Sequence, residues 1–125
     1  MSEKIALTEA EWKIMQILWE SGSMTMMEIT RALEEATGWT KNTVTTLLKR
    51  MIQKGTVSVD ETGNVKRYSP HVEKGRVTRE QTDTLLTRLF SGKASLLVAN
   101  LVEQGKMTED EIKELMKILK NASEK

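Results

Sequence analysis

The chain has no cysteine and only one proline, one histidine, one phenylalanine and one tyrosine among its 125 residues. Without cysteine, disulfides and thiolate chemistry are excluded, and oxidising export is not required. The lone histidine, His71, sits beside the turn proline Pro70. No acidic pair, glycine-rich phosphate loop or nucleophile motif accompanies it, so no enzyme, metal site or cofactor is expected. No apolar run approaches the roughly 18 residues of a membrane span. The opening stretch, Met1 to Lys13, mixes acids with bases and does not read as a signal peptide, so a cytoplasmic chain is expected.

An excess of one charge is missing too. The formal net charge is +1, and residues 1–74 hold ten Lys/Arg against ten Asp/Glu. The distribution is uneven, however. Thr40 to Lys54 contains Lys41, Lys49, Arg50 and Lys54 and no acid. A local basic face on a balanced chain suits sequence-selective DNA binding, whereas strong overall charge favours any phosphate backbone.

What is present is enough apolar matter for a core, at 38% hydrophobic and 30% charged residues, and clear punctuation. The pairs Thr8–Glu11, Thr25–Glu28, Thr78–Gln81 and Thr108–Glu111 have capping-box spacing, in which a hydroxyl and an acid or amide satisfy free helix N–H groups. Gly22, Gly38, Gly55, Gly92 and Gly105 each follow a helical pattern, where a left-handed stop favours glycine. Six helices are predicted, over about 8–20, 25–37, 40–54, 78–90, 93–104 and 108–121. Between the third and fourth the period shortens. Val57-Ser58-Val59 alternates, Asp60 to Asn64 is a turn cluster, and Val65 to Ser69 is rich in strand formers, which reads as a hairpin. Met24 is placed to add a short third strand. The fold class is mainly α, an α+β winged helix. It comprises an N-terminal winged helix-turn-helix over 1–74 and a three-helix dimerisation arm over 75–125, with a hinge at Gly75.

The third helix carries the functional expectation. Val44, Leu47, Leu48, Met51 and Ile52 form an apolar stripe at helical spacing, to be buried. The opposite side centres on Asn42, Thr46, Lys49 and Gln53, flanked by Thr43, Thr45 and Arg50. Asn and Gln can pair with adenine edges, Lys with guanine, and Thr can touch a thymine methyl or a phosphate. The N-terminal half of a reading helix reaches deepest, which favours Lys41, Asn42, Thr45, Thr46 and Lys49 for base contact and Arg50 for phosphate. Gly38-Trp39 is the short link of a helix-turn-helix, and Lys66 and Arg67 on the hairpin's return strand add phosphate or minor-groove contacts. The alternative is a winged helix that binds protein and no DNA. A basic polar ridge on the third helix would favour DNA, an apolar patch protein. Trp12 and Trp19 are expected in the core, Trp39 packed at the turn, and the methionines as core filler.

The C-terminal helices are rich in leucine. Leu85, Leu86, Leu89 and Phe90 lie on the fourth, Leu96, Leu97 and Leu101 on the fifth, and Ile112, Leu115, Met116 and Leu119 on the sixth. The fifth is apolar nearly all round. Three short helices cannot enclose it, so a second copy of the chain is the natural cover.

These residues resemble a known family, the penicillinase and methicillin-resistance repressors of BlaI/MecI type, which also includes copper-responsive CopY-type repressors. The matching stretches are Leu7 to Trp12 with Leu18-Trp19, Gly38-Trp39-Thr40, Asn42 to Arg50, Lys54-Gly55 and Tyr68-Ser69-Pro70. In the arm, Leu97 to Val102 and Glu109 to Leu115 match as well. The resemblance implies a homodimer that binds palindromic double-stranded operator DNA and blocks transcription. It also implies induction by a sensor-linked protease that cuts after an Asn in the fifth helix, here the Asn100–Leu101 bond. The best-known relatives carry an aromatic residue where this chain has Leu101. Copper-responsive relatives use a cysteine-rich C-terminal site, and this chain has no cysteine.

Overall fold

The computed structural model describes residues 5–124; Met1 to Lys4, which belong to the stretch read for a leader, and Lys125 lie outside them. The order of elements is α1 (Glu9–Ser21), β1 (Met24–Thr25), α2 (Met26–Thr37), α3 (Lys41–Lys54), β2 (Val57–Asp60), β3 (Arg67–Pro70), α4 (Lys74–Phe90), α5 (Ala94–Glu103) and α6 (Glu109–Ser123). The strands form one antiparallel sheet in the order β1-β3-β2, with Met24 opposite Tyr68 and Val59 opposite Tyr68 on the other side. Three helices followed by a hairpin that returns beside β1 make a winged helix.

Three of the four capping boxes form as expected. Thr8 and Glu11, Thr25 and Glu28, and Thr108 and Glu111 each exchange both hydrogen bonds. The fourth does not. α4 starts at Lys74, so Thr78 and Gln81 lie inside it and Gly75 is a helical residue, not a hinge. The earlier start puts Val77, which is fully buried, in the first turn. Burying a valine is worth about 1.5–3 kcal/mol, more than the roughly 1 kcal/mol that glycine costs within a helix. The chain divides into two compact units, 1–81 and 82–125, so α4 belongs to both.

The first unit has a dense core. Ile14, Met15 and Leu18 of α1 meet Ile29 and Leu33 of α2 and Val44, Leu47, Leu48 and Met51 of α3, with Met24, Val57 and Tyr68 from the sheet. Trp19 packs half-buried on this cluster and donates its indole N–H to Val72 O at 2.9 Å. Trp12 sits edge-on to it at 5.6 Å, half-buried instead of in the core.

Glu11 is a charged residue wholly inside this unit. Its Oε1 takes the Thr8 N–H at 2.9 Å and Lys54 Nζ at 2.8 Å. Burial pushes its carboxyl up, but the bonds from Lys54 and Thr8 outweigh it and hold the group below its ordinary value. A depressed folded value stabilises the fold above the unfolded value, and the contribution fades as pH falls through the folded one. Glu11→Gln should therefore cost about 1.5–3 kcal/mol at pH 7 and flatten the acid limb of a urea-midpoint profile. An unchanged midpoint at pH 7 would show that the pair contributes no net stability.

Candidate nucleic-acid interface

α2 and α3 are joined by three residues, Gly38, Trp39 and Thr40. Gly38 ends α2 at φ 69°, a left-handed conformation that suits glycine. Its N–H closes on Glu34 O at 2.8 Å. Trp39 then packs on the core, as expected, and Thr40 caps α3 through the Thr43 N–H. This tight turn holds α3 with its apolar stripe inward. Val44, Leu47, Leu48 and Met51 are buried and Ile52 is half-buried.

The other side of α3 faces solvent. Lys41, Asn42, Thr43, Thr46, Lys49, Arg50 and Gln53 are all exposed. Among the described residues, no side-chain hydrogen bond or ion pair engages Lys41, Lys49, Arg50 or Gln53, and the Asn42 amide is also free. The result is a basic polar ridge with its donors uncommitted. Thr46 Oγ1 donates to Asn42 O at 3.0 Å, which fixes its rotamer and leaves its methyl outward-facing options limited to one well. Thr45 is placed differently. It is half-buried, donating to Lys41 O at 2.8 Å with Met26 Sδ 3.6 Å away, and so leans toward α2.

Lys54, counted from sequence with the basic residues of this helix, is already engaged within the fold although it stays partly exposed. Its ammonium is held by Glu11 and, at 3.3 Å, by Ala6 O. Sequence reasoning missed this because the partner lies 43 residues away; the one signal was an acid in an otherwise apolar stripe of α1.

The wing is the β2–β3 hairpin. β3 begins at Arg67, so Val65 and Lys66 belong to the tip and not to the strand, contrary to the sequence reading. Asp60 shapes the turn by accepting from the Thr62 N–H at 2.9 Å and its hydroxyl at 2.6 Å. Lys66 pairs with Glu61 at 3.1 Å, and that hydrogen bond raises its pKa, keeping it cationic. Arg67 donates through Nε to Ser23 Oγ at 2.8 Å and through Nη2 to Ser23 O at 3.2 Å, with Glu28 at 3.9 Å. It ties the wing to β1 and the start of α2. Val65 stands exposed at the tip.

The second unit presents a different surface. None of the residues of α5 or α6 is buried. Leu85, Leu89, Leu96, Met116 and Leu119 are exposed, while Leu86, Phe90, Leu97, Leu101, Ile112 and Leu115 are half-buried. Val102 and Ile118, not singled out from sequence as part of this surface, are exposed as well. Asn100 is half-buried within α5, its Oδ1 accepting from Gln104 Nε2 at 2.9 Å.

Among the described residues, no group of three or more His, Cys, Asp or Glu could hold a metal ion. No single helix there is long and apolar enough to cross a membrane.

The family model described as "Penicillinase repressor" matches residues 7–121. The chain belongs to that family. The penicillinase repressor of Bacillus licheniformis is 27% identical over 113 residues, covering 90% of this chain and 88% of that protein. The methicillin resistance regulatory protein MecI of Staphylococcus aureus strain N315 is 26% identical, covering 90% and 92%. Among solved structures, the monomeric form of Bacillus licheniformis BlaI in complex with the blaP half-operator is 26% identical, with a TM-score of 0.53. It covers 61% of this chain and 93% of that one. In this penicillinase-repressor chain the ridge on α3 and the apolar helices of the second unit are therefore the two surfaces to explain.

Proposed function

We propose that this chain is a homodimeric transcriptional repressor whose α3 reads the major groove of a palindromic operator. The observation that carries the reading is the ridge of Lys41, Asn42, Lys49, Arg50 and Gln53, exposed and free of side-chain hydrogen bonds or ion pairs among the described residues. It is polar and basic, which favours DNA over a protein partner. The BlaI relative solved with a half-operator supports the same use. Lys66 and Arg67 on the wing supply phosphate contacts beside the groove, and the arm joins the two heads. Reading one face of B-DNA twice then requires half-sites about 34–36 Å apart, or a multiple of that spacing.

Release from the operator follows a cut at the Asn100–Leu101 bond by a sensor-linked protease. This rests on the family resemblance and on the bond's place inside α5, where a cut severs the arm.

The test is selection of bound duplexes from a random library, followed by affinity measurements on variants. Asn42→Ala and Lys49→Ala should each weaken binding to the selected palindrome by about 1–3 kcal/mol, with a smaller loss on random DNA. Equal losses on both duplexes would make these residues backbone contacts. Recovery of no preferred sequence would sink the operator reading.

A further inference from the structure

The residues before α1 form a non-helical strap with an unusual set of partners. The Ile5 N–H donates to Glu80 Oε2 at 2.7 Å, and Gln81 Nε2 donates to Ile5 O at 2.8 Å. Both partners lie on α4. One residue on, Ala6 O accepts from Lys54 Nζ, at the last residue of α3. Leu7 packs on the core, and the Thr8 N–H closes on the Glu11 oxygen that also holds Lys54. Four consecutive residues thus bridge the first half of α4 to the C-terminal end of α3.

We propose that the Ile5–Thr8 strap is a positioning device for the recognition helix, with Lys54, Glu11 and Gln81 as its positioning residues. The inference rests on the operator reading above and deepens it. The strap gives the last lysine of a basic helix a use within the fold: Lys54, though still partly exposed, is held by Glu11 and Ala6 O, so it anchors the helix and does not contact DNA. α3 is held near its start by the Gly38-Trp39-Thr40 turn and at its end by the strap. Base-edge hydrogen bonds demand an accurate helix angle, whereas phosphate contacts tolerate small rotations. Loosening the strap should therefore degrade sequence selectivity first.

The test uses the full chain, the selected operator and a random duplex of equal length, each titrated over a salt series. Lys54→Met, which removes two hydrogen bonds, and Gln81→Leu, which removes one, should each weaken operator binding about five- to tenfold, or somewhat more for Lys54→Met. Random-duplex affinity and the salt slope should stay unchanged. The double variant should be no worse than the weaker single, since either break opens the same strap. Lys54→Arg, which keeps a cationic donor at this position, should retain wild-type binding, and Thr78→Ala, exposed on α4, should be neutral. A separate readout needs no DNA: Gln81→Leu should speed amide hydrogen exchange at Thr8 and in the last turn of α3. Equal losses on both duplexes with a salt slope shallower by about one would make Lys54 a phosphate contact and overturn the proposal. Unchanged exchange in α3 of Gln81→Leu would overturn it as well. If the wild-type chain selects no operator, the DNA reading fails while hydrogen exchange still decides whether the strap holds α3.

Discussion

Leu89→Glu is expected to turn the protein from dimer to monomer, weakening self-association by about two to four orders of magnitude. Leu89 is 69% exposed in the single chain, so a carboxylate there costs the isolated fold little. The effect on association is large because a two-fold interface uses the same patch twice. If each copy buries one leucine worth about 1.5–3 kcal/mol, the loss is about 3–6 kcal/mol before the charge is counted. Desolvating an unpaired carboxylate adds to it. The exposed apolar residues of the second unit make Leu89 a fair choice. Leu85, Leu96, Met116 and Leu119 are exposed with it, and no residue of α5 or α6 is buried within one chain. Helices with so little internal burial are unstable unless something covers them. Sedimentation of wild type and variant at matched concentrations reads the result, with circular dichroism to show that the variant is folded. A folded Leu89→Glu protein that still sediments as a tight dimer would place the interface elsewhere.

How far the sequence alone predicts this molecule depends on the reach of each interaction. Helices α1, α2 and α6 are legible because a Thr hydroxyl and an acid three residues later act locally. The stripe of α3 is legible for a similar reason, since its period of 3.6 marks the buried face wherever that face packs. Thr78–Gln81 shows the limit of local reading. It has the spacing of a capping box, yet the helix starts four residues earlier, with Val77 fully buried in its first turn, a burial that local spacing does not reveal. Val65 shows the same limit in a strand: a β-branched residue predicted on the ladder stands at the wing tip, where Asp60 and Thr62 have already set the turn. The candidate interface follows this rule. Asn42, Lys49 and Arg50 are exposed as their position on the helical wheel implies. Lys54 has equally good credentials by charge and helix, but a buried carboxylate 43 residues away claims it. Periodicity tells which face of a helix is polar. It cannot tell which polar side chain is already in use.

Ending the chain at Asn100 should weaken operator binding by about two to four orders of magnitude, to the level of a single head. The shortened chain keeps every element of the first unit, so its core and the α3 ridge stay intact. What it loses is Leu101, Val102 and Glu103 from α5 and the whole of α6, including Ile112, Leu115, Met116 and Leu119. The rest of α5, Ala94 to Asn100, is then about two turns long, too short to persist without packing. Two linked heads hold a palindrome far more tightly than one, because the second binds at a high effective concentration. Severing the arm removes that advantage without touching a single DNA contact. Position matters as much as consequence. Asn100 O accepts the Gln104 N–H at 3.2 Å and its side chain accepts from Gln104 Nε2. A protease must unwind this turn before it can reach the bond, so the intact helix resists background cutting. Operator titration and sedimentation of the shortened chain test the consequence. Mass spectrometry of the repressor during induction in its host tests whether the cut occurs. A shortened chain that binds the full palindrome as tightly as the intact one would remove the Asn100–Leu101 bond as the switch.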